Sequence, residues 1–461
     1  MSQAWHRRLR GHPFPLATVL SMACLTARPS ETPALVAFVN VTVVPMDRER
    51  LLQQQTVVIR GGRIAEIGPQ ASVTVPEGAR RIDGAGRYLM PGFVDAHFHL
   101  QGNDADDRRL LQVLLANGVT SVLNLHGTSA ILELRERVAR GDVLGPTIYT
   151  SGPYVSDAPS FQPEPDEAER MVVEQKRAGY DLIKTHGDFS REALRRLCAA
   201  ARRENIKVIG HAPRNLGVEP MFAARMDAVA HAEEFIYAFF FFDAPPGIAE
   251  ADPETRRRFL KSQEERIPEL AAATAKAGTW VVPNLVAYKM IVEQGKDLAS
   301  VLARPETRFV PPGIAADWQP GSNRYDRKYT PEAAEHMSWR LELITKLTGA
   351  LRKAGVRLMA GSDAPIPGVV PGFSLHDELK LLVAAGLTPY EALRTATANP
   401  SEFLGRDAFG LVTVGARADL LLLDANPLAD VANAARRTGV MVRGRWLAEN
   451  ELRSLLEGTS H

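Results

Sequence analysis

From Ala34 to Met90 apolar residues alternate with a period of two, first in "ALVAFVNVTVVPM" and then in "TVVIRGGRIAEIG". Side chains on a strand point alternately to opposite faces, so this texture predicts half-buried β-strands. Gly61-Gly62 predicts a hairpin turn between two of them. The same texture returns near the end of the chain in "DLLLLDANP" and "GVMVRGRWL". Two β-rich flanks around one central block predict a single small β-sandwich, built jointly by residues 34–90 and 406–450.

Between the flanks, over residues 91–405, short apolar stretches alternate with helix-length segments. Eight stretches fit: "GFVDAHFHL" from residue 92, "SVLNL" from 121, "TIYTS" from 147, "LIKTH" from 182, "KVIGH" from 207, "AVAHA" from 228, "WVVPNL" from 280 and "RLMAGSD" from 357. Amphipathic segments such as "RLLQVLLANG" and "REALRRLCAAARREN" separate them, the pattern of parallel strands joined by crossover helices. The expected fold is therefore α/β, a (β/α)8 TIM barrel carrying the composite sandwich. The two widest gaps, 233–279 and 286–356, contain the proline-rich pieces "DAPPGIAEADPE" and "FVPPGIAADWQPGSN", which predict loops or lids. After the eighth stretch, Thr388-Pro389-Tyr390-Glu391 predicts a helix start with a capping box, and the helix is expected to stop before Pro400.

Composition narrows the partners. The 461 residues are 45% apolar, with 55 basic and 54 acidic side chains and a formal charge of +1. Such a chain can bury a large core but offers no basic field for nucleic acid, so a small-molecule substrate is expected. Cys24 and Cys198 are the only cysteines, too few for a disulfide framework or a thiolate cluster, so a metal site must use histidine and oxygen ligands. Residues 1–30 place Arg8 and Arg10 before an apolar run from Leu16 to Ala27, with small residues at Ser21 and Ala23, which fits a cleavable signal peptide. A periplasmic or secreted location follows; a disordered leader on a cytoplasmic protein and a lipid anchor through Cys24 are the alternatives. No other segment has 18 apolar residues in a row, so no membrane span is expected.

Histidine is scarce, 11 in the chain, yet His97 and His99 lie two apart at the end of the first barrel stretch. Alternation points both to one face, together with Asp95. Alone, such a pair is more often part of a half-exposed strand. Four other stretches also end in a residue of metal-site chemistry: Lys184, His211, His231 and Asp363. Each has an ordinary reading as a solvated amine, a satisfied core imidazole or a helix cap. Five such coincidences at equivalent strand ends, where barrel enzymes keep their chemistry, are harder to credit than one site. Imidazole and carboxylate without thiolate suit zinc, with manganese, cobalt or nickel as alternatives. Lys184 stands apart because an ammonium has no lone pair. A buried lysine of depressed pKa is neutral and can take up carbon dioxide as a carbamate, N6-carboxylysine, an anionic bridge that would let the set hold two ions.

With His97-Phe-His99, Lys184 in "YDLIKTHGD", His211 in "VIGHAP", His231 in "AVAHAEE" and Asp363 in "AGSDAP", the chain resembles the amidohydrolase superfamily, in its imidazolonepropionase-like and prolidase-like subgroup. The resemblance runs from about residue 35 to 450 and includes the flank sequences "VRGRWL" and "GARADLLLLDANPL". It implies that His97, His99 and Asp363 bind a buried ion, that His211 and His231 bind an exposed one, and that carboxylated Lys184 bridges them. Imidazolonepropionase and the cytosine and guanine deaminases lack the lysine, so Lys184 directs the reading toward two-metal hydrolases. One departure is visible: Val229-Ala230 precede His231 where relatives commonly have a glutamate, which leaves the ligand's support open.

The resemblance implies hydrolysis of an amide or peptide-like bond by a metal-bridged hydroxide, with Asp363 as the catalytic proton carrier. A dipeptide or an N-acyl amino acid is the expected substrate. A lactonase or esterase using the same ions, a mononuclear deaminase-like enzyme and a non-catalytic scaffold are the alternatives. Tyr288, Lys289, Arg324 and Arg327, placed on loops after the seventh stretch, are candidates for binding a substrate carboxylate. Phe235, Tyr237 and Phe239 to Phe242 form either an apolar substrate wall or a packed helix face, and His126, His186 and His376 are candidate supporting groups. A homo-oligomer is also among the expectations.

Overall fold

A computed structural model describes residues 35–157, 161–248, 251–325, 331–405 and 408–458. The leader, Cys24 and Arg327 lie outside these residues. The period-two segment forms five strands: β1 (Val36–Val43), β2 (Leu52–Arg60), β3 (Arg63–Pro69), β4 (Arg80–Asp83) and β5 (Tyr88–Pro91). The central block supplies β6 (Phe93–Phe98), β7 (Val119–Asn124), β8 (Thr147–Thr150), β9 (Leu182–Thr185), β10 (Lys207–Gly210), β11 (Ala228–Ala230) and β12 (Trp280–Val282). The last flank adds β13 (Leu420–Leu423), β14 (Arg437–Val442) and β15 (Arg445–Ala448).

Strands from both ends of the chain share one eight-stranded sheet in the order β15-β14-β13-β5-β1-β2-β3, with β4 beside β1. The union of the flanks is set by pairing of β13 with β5, which aligns Leu420 with Pro91 and Leu423 with Tyr88. Gly61 and Gly62 both have positive φ, as the turn between β2 and β3 requires. Val57, Ile59, Leu89, Leu420 and Leu422 bury their side chains in one cluster beneath this sheet.

The central strands form two parallel sheets, β6-β7-β8 and β9-β10-β11-β12. A parallel bridge from Ser151 to Leu182 links them on one side. On the other side the eighth expected stretch, 357–363, and the residue after it form bridges rather than a continuous strand: Leu358 pairs with Val281 and Ala364 with Phe98. Asp363, beside the second of these bridges, turns into the left-handed region at φ 63°. The backbone N–H of Ala96 still donates to Ala360 and that of Asp363 to His97, which fixes this segment against β6.

The proline-rich gaps are mostly helical. Pro253, Pro305 and Pro312 each start a helical segment, at 253–263, 305–309 and 312–317. Proline ends a preceding element but is well suited to the first helical turn, where its missing N–H is not needed. For the same reason Pro400 sits inside the first turn of helix Ala398–Leu404 instead of following a helix end. The Thr388 to Glu391 capping box is present as expected.

Helix Arg191–Arg203 shows how the parallel sheets are covered. Ser190 caps its start, and Leu194, Leu197, Cys198 and Ala201 turn one face inward. Burial pushes the Cys198 thiol up to about 12, Asp227 adding to the rise and Arg202 opposing it. Iodoacetamide at pH 8 is therefore expected to leave Cys198 unmodified in the native protein and to label it in urea, read by peptide mass spectrometry. Rapid labelling of the native thiol would show that this helix opens readily.

Candidate metal centre

All six residues expected to bind metal line one cavity of about 720 Å3 at the carboxyl ends of the parallel strands. Three of them converge closely: His97 Nε2 lies 3.1 Å from His99 Nε2 and 3.2 Å from Asp363 Oδ1, and His99 Nε2 lies 3.0 Å from the same oxygen. Ligands about 2.0–2.1 Å from a tetrahedral ion stand roughly 3.3 Å apart, so the spacing of these atoms suits one. His231 Nε2 is 3.9 Å from the other Asp363 oxygen, and the His211 and His231 rings are 5.0 Å apart.

Lys184 is 1% exposed, and its Nζ is buried with no hydrogen-bond partner among the described residues. Burial lowers its pKa to about 8, while Asp363 and Glu234 oppose the shift. A buried amine with no acceptor, facing histidines and an aspartate, suits a centre in which its neutral form would take up carbon dioxide, lose a proton and offer the two carbamate oxygens as an anionic ligand.

Partners that the sequence reading passed over orient the ligands. Asn284 Nδ2 donates to the Gly361 carbonyl at 2.8 Å, which leaves its oxygen, 3.0 Å from His97 Nδ1, to accept. His97 must then carry its proton on Nδ1, and its Nε2 lone pair faces Asp363. Asn284 holds this pose in the left-handed region at φ 53°, and His231 at φ 71°. Asp95 does not face the cavity with the histidines. It is fully buried, accepting from Ser362 Oγ and N and from the His97 N–H, and so ties β6 to the 357–364 segment.

The glutamate missing before His231 has a counterpart three residues after it. Glu234 Oε1 lies 3.5 Å from His211 Nδ1, and Arg214 clamps the same carboxylate through bonds of 2.6 and 2.9 Å. "AHAEEF" held that signal, but only the turn after β11 brings Glu234 back to His211.

Other candidates divide. Tyr288 lines the cavity, though from helix Leu285–Leu302 and not from a loop, and Arg324 lies at the cavity surface. Lys289, on the same helix, pairs with Glu293 outside the cavity. His126 and His186 line the cavity, flanking Tyr154 with ring separations of 4.4 and 4.3 Å. His376 does not: its Nε2 lies 2.9 Å from the Asn117 carbonyl, an ordinary structural bond. Phe235, Phe239 and Phe240 are core residues around a π-helical turn, Ile236–Phe240, and no phenylalanine lines the cavity.

The model of the "Amidohydrolase family" matches residues 88–447. The chain belongs to the amidohydrolase family. Solved structures share the fold over most of its length. A putative prolidase from Bifidobacterium longum, 24% identical, covers 92% of this chain and 98% of its own with a TM-score of 0.65. A bottromycin amidohydrolase, also 24% identical, covers 93% of this chain and 91% of its own with a TM-score of 0.73. Among curated relatives, an adenine deaminase of Deinococcus radiodurans is 22% identical over 402 residues, 83% of this chain and 57% of that protein. An adenine deaminase of Rubrobacter xylanophilus is 32% identical over 134 residues, 27% of this chain, so the match spans only 22% of that relative's length.

The electrostatics of this amidohydrolase favour neutral imidazoles around one anion. Burial and the charge of Lys184 hold His97 and His211 well below the usual histidine range, and burial lowers His231 to about 3. Burial would raise Asp363, but His97, His99 and His231 outweigh it and keep the carboxyl well below the carboxylate range.

Lys184 gives a pH prediction. With a folded pKa near 8 against 10.5 when exposed, the unfolded chain binds more protons between those values, so this group makes stability rise with pH across that window. In metal-stripped protein, Lys184→Met is expected to remove that rise and to stabilise the fold at pH 7 by up to about 3 kcal/mol, measured by urea denaturation. An unchanged pH profile would mean that the amine is not buried as a lone charge.

Proposed function

We propose that this chain is a metal-dependent hydrolase of carbon–nitrogen bonds, acting on a peptide-like substrate such as a dipeptide or an N-acyl amino acid. The observation that carries the reading is the convergence of three histidine and aspartate ligand atoms in a cavity shared with His211, His231 and the unpartnered Lys184 amine. His97, His99 and Asp363 would hold one ion, His211 and His231 a second, and Lys184 as a carbamate would join them. Zinc suits this donor set. The bridges at Ser151, Leu358 and Ala364 support a ring of eight parallel units, with the two flanks as one accessory β domain.

Divalent metal in such a site supplies Lewis acidity and a water acidic enough to ionise near neutral pH. Asp363, kept anionic by its histidines, is placed to take a proton and return it to the leaving amine. Asn284 holds His97 in orientation while this happens, and the Glu234 carboxylate lies 3.5 Å from His211 Nδ1. Ile291, Ile314, Trp318 and Ile366 give the cavity an apolar wall for an acyl group or side chain. The shared fold with a putative prolidase and a bottromycin amidohydrolase favours the peptide-like class.

A panel of dipeptides, N-acyl amino acids, lactones and adenine tests the proposal. Hydrolysis of an amide member is expected, and Asp363→Asn should lower kcat by about 10² to 10⁴ while moving Tm little. Release of ammonia from adenine with no cleavage of amides would overturn it in favour of a deaminase.

A further inference from the structure

The large cavity has a smaller neighbour of about 280 Å3. Glu233, Tyr288, Ile291 and Tyr325 line both, so the two are adjacent compartments with a shared wall. The second compartment is lined by Arg256 from helix Pro253–Gln263, and by His336 and Arg340 from helix Pro331–Lys353. His336 and Arg340 are four residues apart, so they share one helix face. Both helices lie in the two long gaps whose proline-rich pieces predict loops or lids.

His336 is 4% exposed, and neither of its ring nitrogens has a hydrogen-bond partner among the described residues. Arg340 donates through Nη1 to the Tyr237 hydroxyl at 3.2 Å, but its Nε is buried with no partner. Burying donors without acceptors is costly, and the cost is recovered when a ligand supplies the acceptors. Among the described lining residues Glu233 is the one acidic side chain, while Arg340 brings a guanidinium and His336 an imidazole whose hydrogen-bonding capacity is not fully used. Arg214, by contrast, lines the large cavity already neutralised by Glu234.

We propose that the second compartment receives a carboxylate of the substrate, with His336 and Arg340 as its specificity-determining residues. Guanidinium and imidazole N–H groups donate to a carboxylate in charge-assisted bonds, and Tyr237, Ile291 and Met337 supply an apolar lining for the carbon chain that carries it. The substrate class narrows to molecules with a free carboxylate remote from the bond that is cut. The assignment of this carboxylate to a substrate rests on the hydrolase reading; the affinity of the compartment for it does not.

The test is isothermal titration calorimetry of the full-length holoprotein with 3-phenylpropanoate, 3-phenylpropanol and inorganic phosphate, none of which contains an amide. The acid is expected to bind at least about tenfold more tightly than the alcohol, the scale of one charge-assisted interaction. Arg340→Met and His336→Phe should each remove most of that preference, and Arg340→Lys should keep part of it. Near-ultraviolet circular dichroism checks each fold, and His336→Phe carries the test should Arg340→Met unfold. Equal binding of acid and alcohol, a preference that survives both variants, or binding of phosphate without the acid would overturn the proposal. A protein that binds the acid in this way but cleaves no amide would contradict the hydrolase reading and leave the compartment standing.

Discussion

The Lys184 amine sets the terms for the rest of the site. It is buried at the end of β9 with no hydrogen-bond partner among the described residues, in a cavity lined by imidazoles and by the carboxylates of Asp363 and Glu234. A cation there repels protonated histidines and pushes them toward their neutral, ligating form. The charges of Asp363 and, more weakly, Glu234 oppose the loss of charge on Lys184. Nothing in packing calls for such a cluster, since a methionine would fill the same space without the desolvation cost. The cluster makes sense as half of a site whose other half is a bound cation.

Geometry is held by strain and by partners behind the cavity wall. His231, Asn284 and Asp363 all occupy the left-handed region, which β-strand ends do not adopt without compensation. Asp95 and Ser362 lock β6 to the segment bearing Asp363. Gly361 sits so close that a Cβ would lie 2.7 Å from the His97 Cβ, so the two ligand-bearing segments meet with no space to spare. Glu378 accepts the Val286 N–H at 2.7 Å and anchors the helix that follows Asn284. The ligands are therefore fixed by backbone contacts between strands, and rotamer choice alone would not hold them.

Much of this was legible in the chain because periodicity reports burial. The alternation in "ALVAFVNVTVVPM" and "DLLLLDANP" marked both flanks, and the residues at the ends of the central apolar stretches marked the cavity. What stayed hidden depends on contacts between distant residues. Asn284 carries no local signature, and its role comes from Gly361 and His97, far away in sequence. Glu234 had to be returned to His211 by a turn, and the paired Arg340 and His336 were obscured by prolines that start helices instead of breaking them. Of the two readings open for the aromatic run, the packed one holds for Phe235, Phe239 and Phe240, while Phe242 is exposed and Tyr237 lines the smaller cavity.

The central claim is that Lys184 joins two ions, and metal stoichiometry tests it most directly. Wild type and Lys184→Ala would be purified with zinc and bicarbonate present and measured by elemental analysis. The account predicts about two ions per chain in the wild type and one or none in the variant. One ion in both proteins would contradict it, leaving a mononuclear centre with Lys184 as a bystander.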